Sequence, residues 1–215
     1  MRLRAIHPEE KRARRESLLD IAERLWLEHP ERMLSMAQVA AAAGLAKGTV
    51  YLYFRSKESL LLAVHERHLT AFFEAVILRA ERDPIMTLDD MAGLTRRYIL
   101  EVPAFLPLAS LCLGWMERDI DAEDSLAFSQ RLAEHLSQVA ECLQRHFAIG
   151  STEHGTMLLM QSFALIIGLW QLLRQGPGDA AESCALCREP ALDYFTVLES
   201  ALRALWRGAL EPLAS

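Results

Sequence analysis

The chain has 215 residues, 52% of them apolar and 24% charged, with 4 cysteines and a formal net charge of −6. This composition is that of an ordinary globular protein, excludes a disulfide scaffold, and allows one large domain or a small one joined to a larger one. The charge is uneven: residues 1–57 carry 11 Lys/Arg against 7 Asp/Glu (+4), while residues 58–215 carry 12 against 22 (−10). A basic head on an acidic body suits a polyanion at one end and discourages indiscriminate sticking at the other.

Residues 1–16 are basic and polar without an apolar centre, so no secretory leader is expected and a cytoplasmic location follows, with residues 1–10 read as a flexible basic arm. Leu18, Ile21, Ala22 and Leu25 mark one face of a first helix over about 9–28, which the His29-Pro30 pair breaks. Ser35 followed by Gln38 reads as a capping box opening a second, short helix with Val39, Ala40 and Ala43 on one side. Gly44 suits its left-handed C′ position, and Leu45 reads as a buried pivot. A third helix is expected over about 47–53. Val50 and Phe54, four apart, turn inward, which leaves Lys47 with Tyr51 and Thr49 with Tyr53 outside.

Two short helices joined by a tight glycine turn form a helix-turn-helix, here over about 35–54. The outer side chains offer donors to phosphates and bases and apolar contact to thymine methyls. The small Gly48 lets the backbone approach closely. A plain helical hairpin with half-buried tyrosines is the structural alternative.

Beyond the head, helices are predicted over about 57–80, 87–102, 104–117, 125–148, 154–174 and 193–210. They are separated by Asp83-Pro84, Pro103, the acidic 119–124 run, Gly150-Ser151 and Gly176-Pro177-Gly178. Strand alternation and hairpin turns do not occur, so the fold class is all-α. Residues 155–173 contain no charge. A membrane span is the competing reading by length, but Gln161, Ser162, Gln171 and polar flanks favour a helix buried on all sides by core and partner. Tyr194, Leu198, Ala201, Leu202, Leu205, Trp206 and Ala209 recur at helical spacing, as a four-helix dimer interface requires.

Ser35 to Leu60, with Val39-Ala40, Ala43-Gly44-Leu45, Gly48, Tyr51, Tyr53-Phe54 and Lys57, resembles the TetR family of transcriptional repressors, and Leu18 to Trp26 resembles that family's first helix. The resemblance implies a three-helix DNA-binding domain over 11–70 and a helical effector-binding and dimerisation domain over 71–215. Ser35, Gln38, Ala46, Lys47, Gly48, Thr49, Tyr51, Tyr53 and Lys57 would then form the DNA-binding surface, with Ser35 and Lys57 on phosphate. Two departures stand out: Ala46 replaces the family's usual capping serine, and His29-Pro30 the usual glycine after the first helix. The resemblance also implies a homodimer on a near-palindromic double-stranded operator, with Leu198, Ala201, Leu202, Leu205 and Trp206 at the dimer interface. A small apolar effector would be walled by Phe72, Phe73, Trp115, Met116, Phe163 and Trp170.

Other constellations carry less. Cys184-x-x-Cys187 is one pair, half of a zinc site, and reads as two ordinary thiols with a redox role as the alternative. His65 and His68 share a helix face without a third ligand, so no metal or cofactor is expected. Asp119, Asp121, Glu123 and Asp124 lack the glycine and closing glutamate of a calcium loop and instead suit the start of the next helix. No phosphate loop, nucleophile elbow or paired-histidine metalloprotease motif occurs, so an enzyme is not expected. An architectural DNA-binding protein without an effector is the remaining alternative.

Overall fold

The computed structural model describes residues 8–29, 34–82, 84–173 and 193–210, and these are helical apart from their connections. The first seven residues, Pro30, Asp83, the Gly176–Gly178 breaker and the Cys184/Cys187 pair lie outside them. In chain order the helices are α1 (Pro8–Glu28), α2 (Met36–Ala42), α3 (Lys47–Tyr51), α4 (Lys57–Ala80), α5 (Leu88–Thr95), α6 (Phe105–Arg118), α7 (Ala122–Leu143), α8 (Thr152–Leu173) and α9 (Tyr194–Leu210).

Two departures from the expected boundaries have local causes. The helix expected over 87–102 ends its α part at Thr95 and continues as a π-helical turn, Arg96–Leu100, closed by the Glu101 N–H donating to Arg96 O at 2.9 Å. Proline at 103, whose preceding residue resists helical dihedrals, prevents further continuation. The helix expected over 125–148 begins earlier, at Ala122. The Asp121 carboxylate accepts the Glu123 N–H at 2.9 Å, so the acidic run caps this helix, as expected of it, and supplies its first turn three residues before the expected start.

The chain packs as two units, Met1–Leu69 with Val102–Ser129, and Thr70–Glu101 with Gln130–Ser215. In the first, Leu18, Leu19, Ala22 and Trp26 of α1, Val39 and Ala40 of α2, Val50 and Phe54, and Leu60, Leu61 and Val64 of α4 are buried. Polar bonds fix α1 against α4: Arg67 donates to Asp20 at 2.6 Å and to Glu23 at 2.7 Å, and His68 Nε2 lies 2.8 Å from the other Glu23 oxygen. His65, 3% exposed, sits edge-on to Phe105 with ring centroids 5.0 Å apart, and its Nδ1 has no hydrogen-bond partner.

In the second unit the corner between α4 and α5 is tied by side chains. Arg79 makes a forked pair with Asp90 at 3.0 and 2.9 Å, while Asp90 also completes a capping box with Thr87. His146, just past α7, accepts the Met86 N–H on Nδ1 at 3.1 Å and reaches Ala80 O with Nε2 at 2.6 Å. That pairing fixes the neutral tautomer, because Nε2 must carry the proton it donates to a carbonyl. Helices α8 and α9 pack on each other, with Tyr194 donating to Ile166 O at 3.0 Å and the Trp206 indole to Ser162 Oγ at 2.9 Å.

A Cβ on Gly155 of α8 would sit 2.9 Å from the Ala140 Cβ and 3.4 Å from its Cα, atoms that cannot swing away. Gly155→Ala gains about 1 kcal/mol of helix propensity but meets an overpacking cost of about 1–3 kcal/mol. The thermal midpoint should therefore fall by a few degrees, and an unchanged or raised midpoint would show that α7 and α8 separate freely there.

Burial, reinforced by His68, pushes the His65 imidazole down from 6.5 to about 3. Between those values the unfolded chain binds the proton and the folded one does not, so stability is fully present above 6.5 and is lost as pH falls. Glu23, held below its usual 4.5 mainly by its hydrogen bond with His68, adds a loss only at lower pH. Between pH 6.5 and 5 the urea midpoint of the parent should decline more steeply than that of His65→Leu. Parallel declines would assign the effect to another group.

Candidate nucleic-acid interface

The interface begins with a turn. Gly44 is the only residue at positive φ among the described ones (φ 64). Its N–H donates to Ala41 O at 3.2 Å and the Leu45 N–H to Ala40 O at 2.9 Å, the two bonds of a Schellman ending for α2. At the other end the capping box is formed: the Gln38 N–H donates to Ser35 Oγ at 3.3 Å, and Gln38 Oε1 accepts from the Ser35 N–H at 3.0 Å and its hydroxyl at 2.8 Å. Ser35 and Gln38 therefore occupy one another. Leu45, expected as a buried pivot, is only half-buried, because the turn itself and not this side chain closes the angle.

Helix α3 has five residues, Lys47–Tyr51, so it ends before Tyr53, and Ala46 occupies its N-cap with no side-chain bond. Its inner side is Val50, fully buried, followed by Phe54 at 5% exposure. Ala46, Lys47, Gly48 and Tyr51 are exposed, whereas Thr49 and Tyr53 are half-buried. Nothing lies within 4 Å of where a Gly48 side chain would begin, so Gly48 faces open space. The Lys47 ammonium sits over the Tyr51 ring, 5.8 Å from its centroid, a cation–π contact that holds both on the outer surface. Lys57 opens α4, half-buried, its ammonium 3.5 Å from Glu58. Arg15 of α1 lies over the Phe54 ring at 5.0 Å, which brings a basic turn of α1, with exposed Lys11, Arg12 and Arg14, to the same region.

Arg55 joins this corner from outside the expected set of site residues. Its guanidinium donates to Glu123 at 2.8 Å and lies 3.1 Å from Asp121, and these carboxylates, Glu123 first, raise it further above its usual value. Next to it Ser59, 7% exposed, donates to Asp124 at 2.9 Å. No local pattern announces acids more than sixty positions downstream.

Of the expected effector wall, Phe72, Phe73, Phe163 and Trp170 fall in the second unit and Trp115 and Met116 in the first. Phe72 and Phe73 are buried with rings 5.7 Å apart, and Phe73 stacks on His135 at 5.6 Å. Phe163 and Trp170 are half-buried on α8, while in the first unit Trp115 is buried and Met116 half-buried. An open groove of about 430 Å³ along α1 is walled by Asp20, Glu23, Arg24, Leu27 and Glu28, whose carboxylates ill suit an apolar guest. Of the expected interface residues, Leu198 and Trp206 are buried within the chain, the latter edge-on to Phe147, whereas Ala201, Leu202 and Leu205 remain half-exposed.

Comparisons with known proteins agree with this geometry. Residues 18–64 match the family model described as bacterial regulatory proteins of the tetR family, and residues 66–212 match the tetracyclin repressor-like C-terminal domain. A fatty acid metabolism regulator protein of Bacillus subtilis (strain 168) is 31% identical over 65 residues, 30% of this chain and about a third (34%) of the relative's length. Among solved structures, the fatty acid degradation regulator FadR of Bacillus halodurans aligns with TM-score 0.59 at 17% identity, covering 90% of this chain and 94% of its own. SmeT, repressor of the SmeDEF multidrug efflux pump of Stenotrophomonas maltophilia, aligns with TM-score 0.53 at 20% identity, covering 93% and 97%. A TetR-family regulator from Streptomyces coelicolor gives 0.51 at 21% identity, covering 92% and 99%. With two family models spanning the head and the body, the chain belongs to the TetR family and is a DNA-binding transcriptional regulator.

Proposed function

We propose that this regulator is a repressor that grips a near-palindromic operator as a homodimer and leaves it when a small apolar molecule binds the body. The observation that carries the DNA reading is the outward set of α3, with Lys47 and Tyr51 exposed and held together while Val50 and Phe54 pin the opposite side. A five-residue helix anchored this way enters a major groove by its N-terminal end, where side chains meet base edges. Lys57 at the start of α4 adds a phosphate contact that carries no sequence information.

The dimer reading is supported by α8. It is long and apolar enough to cross a membrane, with mean hydropathy 1.7, yet only 22% of that window is buried within the chain. Its exposed residues Met157, Met160, Ala164 and Leu172 keep to helical spacing beside half-exposed Leu165 and Gly168. A second copy packing α8 and α9 against the same elements covers this stripe in water, as two-fold interfaces do. Half-exposed Ala201, Leu202 and Leu205 join it, while Leu198 and Trp206 belong to the chain's own core. An apolar effector suits the aromatic groups of the second unit, Phe72, Phe73, Phe163 and Trp170, and is consistent with relatives named for fatty acid metabolism and multidrug efflux.

Tyr51→Ala should abolish operator binding in a mobility-shift assay while leaving the thermal melt unchanged. Lys57→Ala should instead weaken operator and random DNA alike and reduce the slope of log affinity against log salt by about 0.9 per head. A Tyr51→Ala protein with parental affinity would remove α3 as the reading helix.

Met160→Glu places a charge on a side chain that is 54% exposed in the single chain, so the fold tolerates it. At a dimer interface the same charge is buried unpaired at a cost of several kcal/mol. Sedimentation without detergent should show a parental dimer and a monomeric variant of unchanged helicity. A dimeric variant would move the interface off α8.

A further inference from the structure

The acidic turn between α6 and α7 sits at the N-terminus of α4, where the family reading expects DNA phosphate. Helices α4 and α7 both begin in the first unit. Their N-termini meet. Ser56 caps α4 by accepting the Ser59 N–H at 3.0 Å, and Asp121 caps α7. Across the junction Arg55 binds Asp121 and Glu123, and Ser59 binds Asp124. Ile120, 8% exposed, anchors the turn, and the Asp119 and Ile120 N–H groups both donate to Trp115 O, at 2.8 and 3.0 Å. The partners therefore stand on fixed backbone.

The chemistry of the junction is competitive. A helix N-terminus with an adjacent arginine and lysine is a ready anion site. Here the anions are supplied by the chain itself: Asp119, Asp121, Glu123 and Asp124 lie in one six-residue stretch. Two of them occupy Arg55, two residues before Lys57. A phosphate and this pair of carboxylates cannot both neutralise one guanidinium, and the uncompensated acids repel the duplex. Yet the Arg55 side chain is 53% exposed, so no burial prevents it from changing partner.

We propose that the α6–α7 turn is an electrostatic latch that withholds Arg55 from DNA phosphate in this conformation, so that displacing the turn adds one phosphate contact per head. The latch rests on the reading that the α3–α4 corner faces the duplex. It gives the regulator a grip that is set by the position of α6 and α7 and not by the recognition helix. Since Arg55 touches phosphate when free, the latch adjusts affinity on every sequence and leaves base preference alone.

The test is a cycle of isosteric carboxylate-to-amide changes and an Arg55 deletion, read by the salt dependence of binding to a random duplex and to the operator. Asp121→Asn with Glu123→Gln keeps the side-chain shapes, and asparagine still caps α7. The parent binds, and Arg55→Ala in the parent leaves its salt slope unchanged. The double variant steepens the slope by about 0.9 per head, which for two heads is about 12-fold more affinity lost between 50 and 200 mM salt. Adding Arg55→Ala to the double variant restores the parental slope, which separates a freed arginine from mere loss of negative charge. If Arg55→Ala alone makes the parental slope shallower, Arg55 is already on phosphate and the latch is overturned; being exposed, that variant folds whatever becomes of the other. A double variant whose slope stays parental, or stays steep without Arg55, overturns it as well. A parent that binds no duplex at any salt would remove the DNA reading beneath the latch, an outcome distinct from the others.

Discussion

A five-residue helix cannot hold itself together in water, since nucleating a helical turn fixes several dihedrals for one hydrogen bond. Helix α3 is such a helix, so its direction depends on what Val50 and Phe54 bury. Each contributes about 1.5–3 kcal/mol by leaving water. Both are buried in the same unit as Leu18, Ala22, Val39 and Leu60, and the side chains on the opposite side of α3 acquire a fixed outward direction as a consequence. Gly44 complements this by taking the positive φ that lets α2 end and the chain turn within four residues. The capping box of Ser35 and Gln38 defines the other end of α2, and the Arg67 and His68 bonds to α1 hold α4, which carries Lys57.

The same constraint makes the surroundings of the head a matter of charge. The outer surface of α3 is basic and aromatic, and Arg15 over Phe54 extends it toward α1. Against it stands an acidic turn whose residues serve two roles at once: Asp121 satisfies backbone donors of α7 and also receives Arg55. Carboxylates favour the start of a helix for electrostatic reasons. The acids of this turn can thus be kept for capping while being turned to a second use by the arginine they face.

In the body, the apolar surplus of α8 and the cross-links at its neighbours divide the work. Trp206 and Leu198 close the chain's own core, with the indole satisfied by Ser162, and what α8 leaves uncovered runs along its other side. The corner near His146 and Arg79 fixes where α4 ends and α5 begins, so the second half of α4 has a defined mate as well as the first.

The amino-acid sequence by itself determined the helical class, the capping box, the glycine turn and the inward–outward split of α3. These depend on neighbours within about four positions, and the 3.6-residue period and the φ demand of glycine are local rules. The helix ends were less legible: the acidic run was readable as the cap of the helix that follows it, but the start at Ala122 was not, because a carboxylate that interrupts one helix can begin another at once. Leu45 read as a pivot and is half-exposed, since a backbone motif carries the turn. Tertiary structure alone decided that Arg55 meets Asp121 and Glu123, that Leu198 and Trp206 face inward, and that α8 keeps an uncovered apolar side. Those facts pair residues far apart in the chain, and helical periodicity says which residues share a face but not what that face will meet.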